Sequence, residues 1–318
     1  MAKYIARRLL VAIPLLLVIT VLVFMLMKLA PYDVVDTMID PKMSAETIAA
    51  IRAKYGLDQP VYRQYLSWLG GILQGDFGYS IATKQAISQQ LSVRIPATIM
   101  LVLPSYLVSY VLAIVLGLVA GSHHNSHADH VIDGIASVLI AVPTFWLAML
   151  LIFIFGYTLR VLPISGMSTV GDGSAGDIAV HYVLPFVTLV IAFLPDNLRY
   201  VRSSTITQMS QDYVTVQDSF GASRSEILFK HVCRNILGPI LTKLGMALPM
   251  LVTGAVITES IFSWPGVGPY FMTAIKSMDY PVVMAILILS STLVILGNLL
   301  ADILNALADP RIREGVSV

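Results

Sequence analysis

The chain has 318 residues, of which 57% are hydrophobic and only 12% charged, and its mean hydropathy is +0.80. That balance excludes an ordinary soluble domain and identifies an integral membrane protein. A formal net charge of +1 gives no basis for a nucleic-acid partner, and a single cysteine, Cys233, excludes a disulfide within the chain.

A hydrocarbon core about 30 Å thick requires roughly 20 apolar residues in a helix. Six stretches are candidates, 9–27, 98–120, 134–158, 182–194, 244–262 and 281–304, and with no strand pattern between them the fold class is all-α. The first follows Lys3, Arg7 and Arg8 as a secretory signal would, yet its nineteen uncharged residues and the lack of a small-x-small cleavage site argue for a retained helix. The fourth is interrupted by Pro185 and bounded by Pro195, and it is expected to continue as helix through Asp196 and Arg199 into the cytosol. Basic residues gather at the start of the chain, between Arg199 and Lys243, and at Arg311 and Arg313, whereas the opposite short loops carry only Arg160 and Lys276. This asymmetry predicts that both termini are cytoplasmic. No repeat period or low-complexity tract divides the chain, so 1–318 reads as one membrane domain with an external helical segment at 31–97 and a cytoplasmic segment at 198–243.

In the external segment Ser44 is placed to cap a helix carrying Ile48, Ile51 and Tyr55 on one side. A second helix is expected after Asp58, with Pro60 in its first turn, Tyr65, Leu69 and Ile72 along one face, and Gly70, Gly71 and Gly75 weakening or ending it. Two readings stay open here, a cap on the membrane domain or a docking surface for an external partner. The loop after the second span holds His123, His124, His127 and His130, which reads either as a solvated polar turn or as a metal site. Trp146, Trp264 and Tyr270 flank spans and suit interfacial anchoring.

Beyond the fourth span lies a charged, helix-permissive insert. Tyr213, Val214 and Gln217 share one helical face, Gly221-Ala222 makes a turn, and a second helix starts at Ser223 with Ile227, Leu228 and Val232 apolar and Glu226 four residues before Lys230. The insert is either an amphipathic interfacial helix or a lever that passes a rigid-body push into the bundle. Glu259 stands near an apolar span, where a carboxylate is expensive, and either faces a translocation path or reaches the outer interface. The run Pro265, Gly266, Val267, Gly268 forms a corner that is either part of an outer gate or a plain loop.

The insert resembles the cytoplasmic loop of ABC-importer permeases. Gly221 matches that loop's glycine, although Thr215, Val216 and Gln217 stand where the pattern has Glu-Ala-Ala. The run Asp212-Tyr213-Val214, Gly221, His231, Arg234-Asn235 and Pro239 is similar to that of the peptide and nickel permease subgroup. So are RRLLVAIPLLLVITVLVFMLMKLAP at 7–31, YGLDQPVYRQYLSWLGGILQGDFGYS at 55–80, VPTFW at 142–146, ESIFSWPGVG at 259–268 and DPRIR at 309–313.

The resemblance implies a type I importer permease with six transmembrane helices in a bacterial or archaeal cell membrane. It implies a second homologous permease, two cytoplasmic ATPases and an external substrate-binding protein as partners. Asp212, Tyr213, Val214, Gln217, Gly221, Ala222 and Glu226 would then couple to an ATPase groove. Di- or oligopeptides are the expected cargo, with nickel, glutathione or another small solute as alternatives. The chain lacks GxxxxGK[ST], the loop that cradles nucleotide phosphates, so ATP and Mg are expected on the partner ATPases, with no cofactor and no catalytic residue in this chain. An ATP-independent secondary transporter or channel is the rival class.

Overall fold

The computed structural model describes residues 2–29, 43–54, 57–246 and 255–308. Among them there is no strand beyond an isolated antiparallel bridge between Tyr79 and Ala86. The chain forms α1 (Ala2–Leu29), α2 (Ala45–Lys54), α3 (Val61–Leu73), α4 (Ile87–Ser122), α5 (His127–Ala141), α6 (Thr144–Leu151, continuing as a π-helix to Thr158) and α7 (Ala175–Met209). It continues with α8 (Asp212–Ser219), the turn α9 (Arg224–Glu226), a π-helical stretch at Ile227–Val232, α10 (Cys233–Met246), α11 (Val256–Ile261), α12 (Val267–Lys276) and α13 (Tyr280–Ala308). α1, α4, α7 and α13 are each long and apolar enough to cross a bilayer, and α5 with α6 makes a fifth crossing if the bent pair is one span.

Proline acts oppositely in two of the spans. In the stretch 134–158, expected as one helix, Val142 is extended and Pro143 caps the next helix, so α5 and α6 meet at 95°. The residue before a proline is driven out of the α region and the proline offers no N–H, which together explain the break. In α7 Pro185 and Pro195 sit inside a continuous helix that passes through Asp196 and Arg199, well beyond the short apolar run at its centre. The stretch 244–262 ends in α10 and α11, and residues 247–254 between them lie outside the described residues, as do Tyr55, Arg311 and Arg313.

α4 and α7 are the axis of the bundle. Gly117 lies against Val201 and Gly121 against Thr205, while Tyr182 donates to the Met100 carbonyl at 3.0 Å, so the two helices run parallel in matched register. A Gly-x-x-x-Gly stripe lets backbones approach in this way. Parallel neighbours also require 123–174 to carry the chain back to its starting side.

One end of the bundle gathers the α4–α5 turn, the end of α7 and α8–α9. The other gathers α3, the loop 77–86 and the start of α13. There Asp279, 2% exposed, accepts from the Ser80 hydroxyl at 2.5 Å and from the Ile81 and Ala82 amides at 3.0 and 3.3 Å. Ser44 caps α2 through the Thr47 amide at 3.2 Å, as its position suggests. Pro60 is the N-cap of α3 rather than a first-turn residue, and Tyr65, Trp68 and Ile72 form its packed face.

Candidate functional site

The insert folds as its local signals dictate. After α8, Gly221 takes φ +81°, its amide donates to the Asp218 carbonyl at 2.9 Å, and the Ala222 amide reaches back to Gln217 at 3.1 Å. This pair of bonds is a Schellman closure, which requires a left-handed residue and so favours glycine. Ser223 then caps the next turn, its hydroxyl accepting the Glu226 amide at 3.3 Å, and Glu226 pairs with Lys230 at 3.2 Å. The expected turn at Gly221-Ala222 and restart at Ser223 are both present.

One side of this element is seated on the bundle. Tyr213, Val214 and Ala222 pack against a cluster of Tyr110, Leu118, Val201, Ile227, Leu228 and Val232, which joins α4, α7 and the π-helical stretch. The Tyr213 hydroxyl donates to Gln208 at 3.0 Å, and the Arg224 guanidinium donates to the Ser122 carbonyl at the end of α4. The other side is bare: Phe220 is 83% exposed and Val216 half-exposed. An aromatic ring presented on the tip of a rigid turn is a surface suited to a protein partner.

Sequence reasoning overlooked the residues that brace this end. Asp129, 1% exposed, accepts from the Arg202 guanidinium at 2.5 and 2.9 Å, from the Asn125 amide at 2.9 Å and lies 3.2 Å from His124 Nδ1. The bidentate pair ties the first turn of α5 to α7. A local signal existed in Ser126, which caps α5 through the Asp129 amide, but its partner Arg202 is 73 residues away. His123 Nδ1 lies by Ser122 Oγ and the Val119 carbonyl, and His130 Nδ1 by the Ser126 carbonyl. Among the described residues no three His, Cys, Asp or Glu side chains converge as a metal-ligand set.

At the opposite end Glu259 is 0% exposed, enclosed by side chains and backbone of its own chain. Its carboxylate accepts from the Thr98 hydroxyl and the Gly268 amide, each at 2.8 Å, while Thr98 Oγ1 accepts from the Val267 amide at 2.8 Å. The carboxylate thus closes the start of α12, where free amides favour negative charge. Gly266 and Gly268 leave room for it, since a Cβ at either would collide with the Glu259 side chain. Pro265 is exposed beside them, and Arg94 donates to the Gly266 carbonyl at 3.5 Å while lying 4.8 Å from the Tyr270 ring centroid.

Trp264 is not an interfacial anchor. It is fully buried against Leu101, Val102 and Leu189, and its indole N–H donates to the Ala97 carbonyl at 2.8 Å. Tyr270 is likewise buried, whereas Trp146 is half-exposed as an anchor would be. The corner 263–268 is therefore a tied structure, followed by α12 before the last span begins.

Comparison with known proteins gives these two ends a family. The model of the family described as binding-protein-dependent transport system inner membrane component matches residues 113–314, and that of its N-terminal region matches residues 1–102. The chain is 39% identical to the oligopeptide transport system permease protein AppB of Bacillus subtilis (strain 168), over 98% of this chain and 99% of that one. It is 35% identical to the di/tripeptide transport system permease protein DppB of Pseudomonas aeruginosa (strain UCBPP-PA14), over 99% of both. It is also 35% identical to the glutathione transport system permease protein GsiC of Salmonella choleraesuis (strain SC-B67), over 98% of this chain and 99% of that one. Matched from end to end, the chain belongs to the inner-membrane components of binding-protein-dependent transport systems.

Proposed function

We propose that the chain is the permease subunit of an ATP-driven importer of di- and oligopeptides, and that α8 with the Phe220-Gly221 turn is where an ATPase engages it. The carrying observation is the asymmetry of that element: one side packed on α4, α7 and the π-helical stretch, the other presenting Phe220 to solvent. In this reading the chain crosses the membrane six times with both termini cytoplasmic, as one domain, beside a second homologous permease. Two cytoplasmic ATPases bind ATP and Mg, and an external binding protein delivers the cargo. Asp212, Tyr213, Val214, Gln217, Gly221, Ala222 and Glu226 form the coupling element, in which Tyr213, Val214 and Ala222 face the bundle and pass on what the exposed side receives. The corner of Glu259, Pro265, Gly266 and Gly268 is the outer gate element, opened by movement of α11 against α4.

Peptide cargo rests on relatives named for oligopeptides and for di- and tripeptides. A relative named for glutathione motivates a second cargo to be assayed beside them. The coupling role is tested in proteoliposomes holding the whole complex. Gly221 has open space where a side chain would begin but a left-handed backbone, so Gly221→Trp strains the turn by about 1–2 kcal/mol and enlarges the tip. The expected result is ATP turnover no longer matched by peptide uptake. Wild-type uptake per ATP in that variant, or uptake by this chain alone without ATP, overturns the proposal.

A further inference from the structure

The uncharged stretch of α1 runs from Arg8 to Lys28, about 30 Å at 1.5 Å per residue, so Lys28 marks the outer edge of the hydrocarbon. α3 docks below that mark. The Tyr65 hydroxyl shares a 2.9 Å hydrogen bond with Thr20, and the Phe24 ring meets Tyr65 and Trp68 with centroids 5.5 and 5.3 Å apart. Thr20 is about 12 Å inward of Lys28 along the helix. Independently, Trp68 and Ile72 pack against Met284 and Ile288, one and two turns inside the outer start of α13. Two different spans place α3 at the same depth.

At about 100° per residue α3 divides into three sectors. Tyr65, Trp68 and Ile72 fill the groove between α1 and α13. Beside them Tyr62, Leu66 and Leu73 are 60, 60 and 80% exposed, at the same depth as the exposed Leu22 and Leu26 of α1. Opposite the packed face lie Ser67 and Arg63, the one charged residue of the helix, whose guanidinium stands 6.0 Å from the centroid of the Tyr62 ring. An apolar sector bare at acyl-chain depth, edged by a single arginine whose long stem can carry its charge outward along Tyr62, is the arrangement of a helix embedded at the membrane interface.

We infer that α3 is an outer-leaflet anchor whose Tyr62, Leu66 and Leu73 sector is covered by lipid acyl chains, rather than a wholly external helix. The test uses the complete transporter in phosphatidylethanolamine and phosphatidylglycerol liposomes, with Cys233→Ser and a nitroxide on Leu66→Cys or Ser67→Cys. Tyr62→Cys supplies a second site in the apolar sector, and ATP-driven uptake verifies that each labelled complex is assembled. Collisional relaxation by oxygen and by a water-soluble nickel chelate is expected to place the Leu66 and Tyr62 labels inside the hydrocarbon, about 3–12 Å below the edge that Lys28 marks. The Ser67 label is expected to be relaxed mainly by the chelate. Chelate access to Leu66 and Tyr62 would overturn the inference in favour of an aqueous surface. Shielding of both from both reagents would overturn it in favour of a protein neighbour such as the second permease.

Discussion

One carboxylate joins three segments at the end of the bundle away from α8: Glu259 accepts the Gly268 amide and the Thr98 hydroxyl, and the Thr98 oxygen in turn accepts the Val267 amide. Deleting it in Glu259→Ala leaves a buried amide and a buried hydroxyl without acceptors, at about 1–3 kcal/mol each. Glu259→Gln keeps one oxygen acceptor but turns an amide N–H₂ toward the other donor. Thermal unfolding of the purified protein in detergent is therefore expected in the order wild type, Gln, Ala, with Ala lowest. An Ala variant that unfolds with the wild type would mean that the corner is held by Trp264 instead. The motif around Glu259 is visible in the sequence, but its burial is not. Thr98 lies 161 residues away, and no local pattern reports which distant hydroxyl will satisfy a carboxylate. Trp264 departs from its expected place for the same reason, because an aromatic beside an apolar run has the same sequence signature at an interface as in a core.

Among the elements, the α4–α7 pair tolerates little added bulk. A Cβ on Gly121 would stand 2.5 Å from the Thr205 Cβ and 2.8 Å from the Arg202 carbonyl oxygen, which belongs to backbone and cannot rotate away. Gly121→Val is expected to push the helices apart at about 1–3 kcal/mol or more, lowering the unfolding temperature and the yield of monodisperse protein. Gly134 on α5 has nothing within 4 Å of such a Cβ, so Gly134→Ala serves as the neutral comparison. Equal behaviour of the two variants would refute tight α4–α7 contact. The sequence made the existence of these helices plain through their apolar runs, and it made the α8 stop and the Ser223 start plain because glycine and capping signals act within a few residues. It did not reveal that Pro143 breaks a helix while Pro185 and Pro195 do not. That outcome depends on whether neighbouring turns re-satisfy the freed carbonyls, which is decided by tertiary packing.

Across the molecule the α8–α9 segment is wired to the bundle at points that sequence spacing does not connect. Arg224 holds the Ser122 carbonyl at the end of α4, and one turn into α5 Asp129 holds Arg202 on α7. A displacement of the Phe220 tip would thus reach α4 and α7 together, the two helices that pack in parallel along the bundle. Arg224→Ala removes the first link without touching the exposed tip. ATPase capture by the assembled complex is expected to be unchanged, while peptide uptake per ATP falls in proteoliposomes. Arg224→Lys, which keeps a charged donor but not the planar fork, is expected between the two. Spatial proximity alone does not establish such a path, so the deciding measurement is a double-mutant cycle between Arg224→Ala and Asp129→Asn. If the two links act in series, the second substitution lowers uptake per ATP little further once the first is made. Fully additive losses would show that Asp129 and Arg202 serve only to hold α5 on α7, and that motion enters the bundle through the Tyr213 and Val214 face instead.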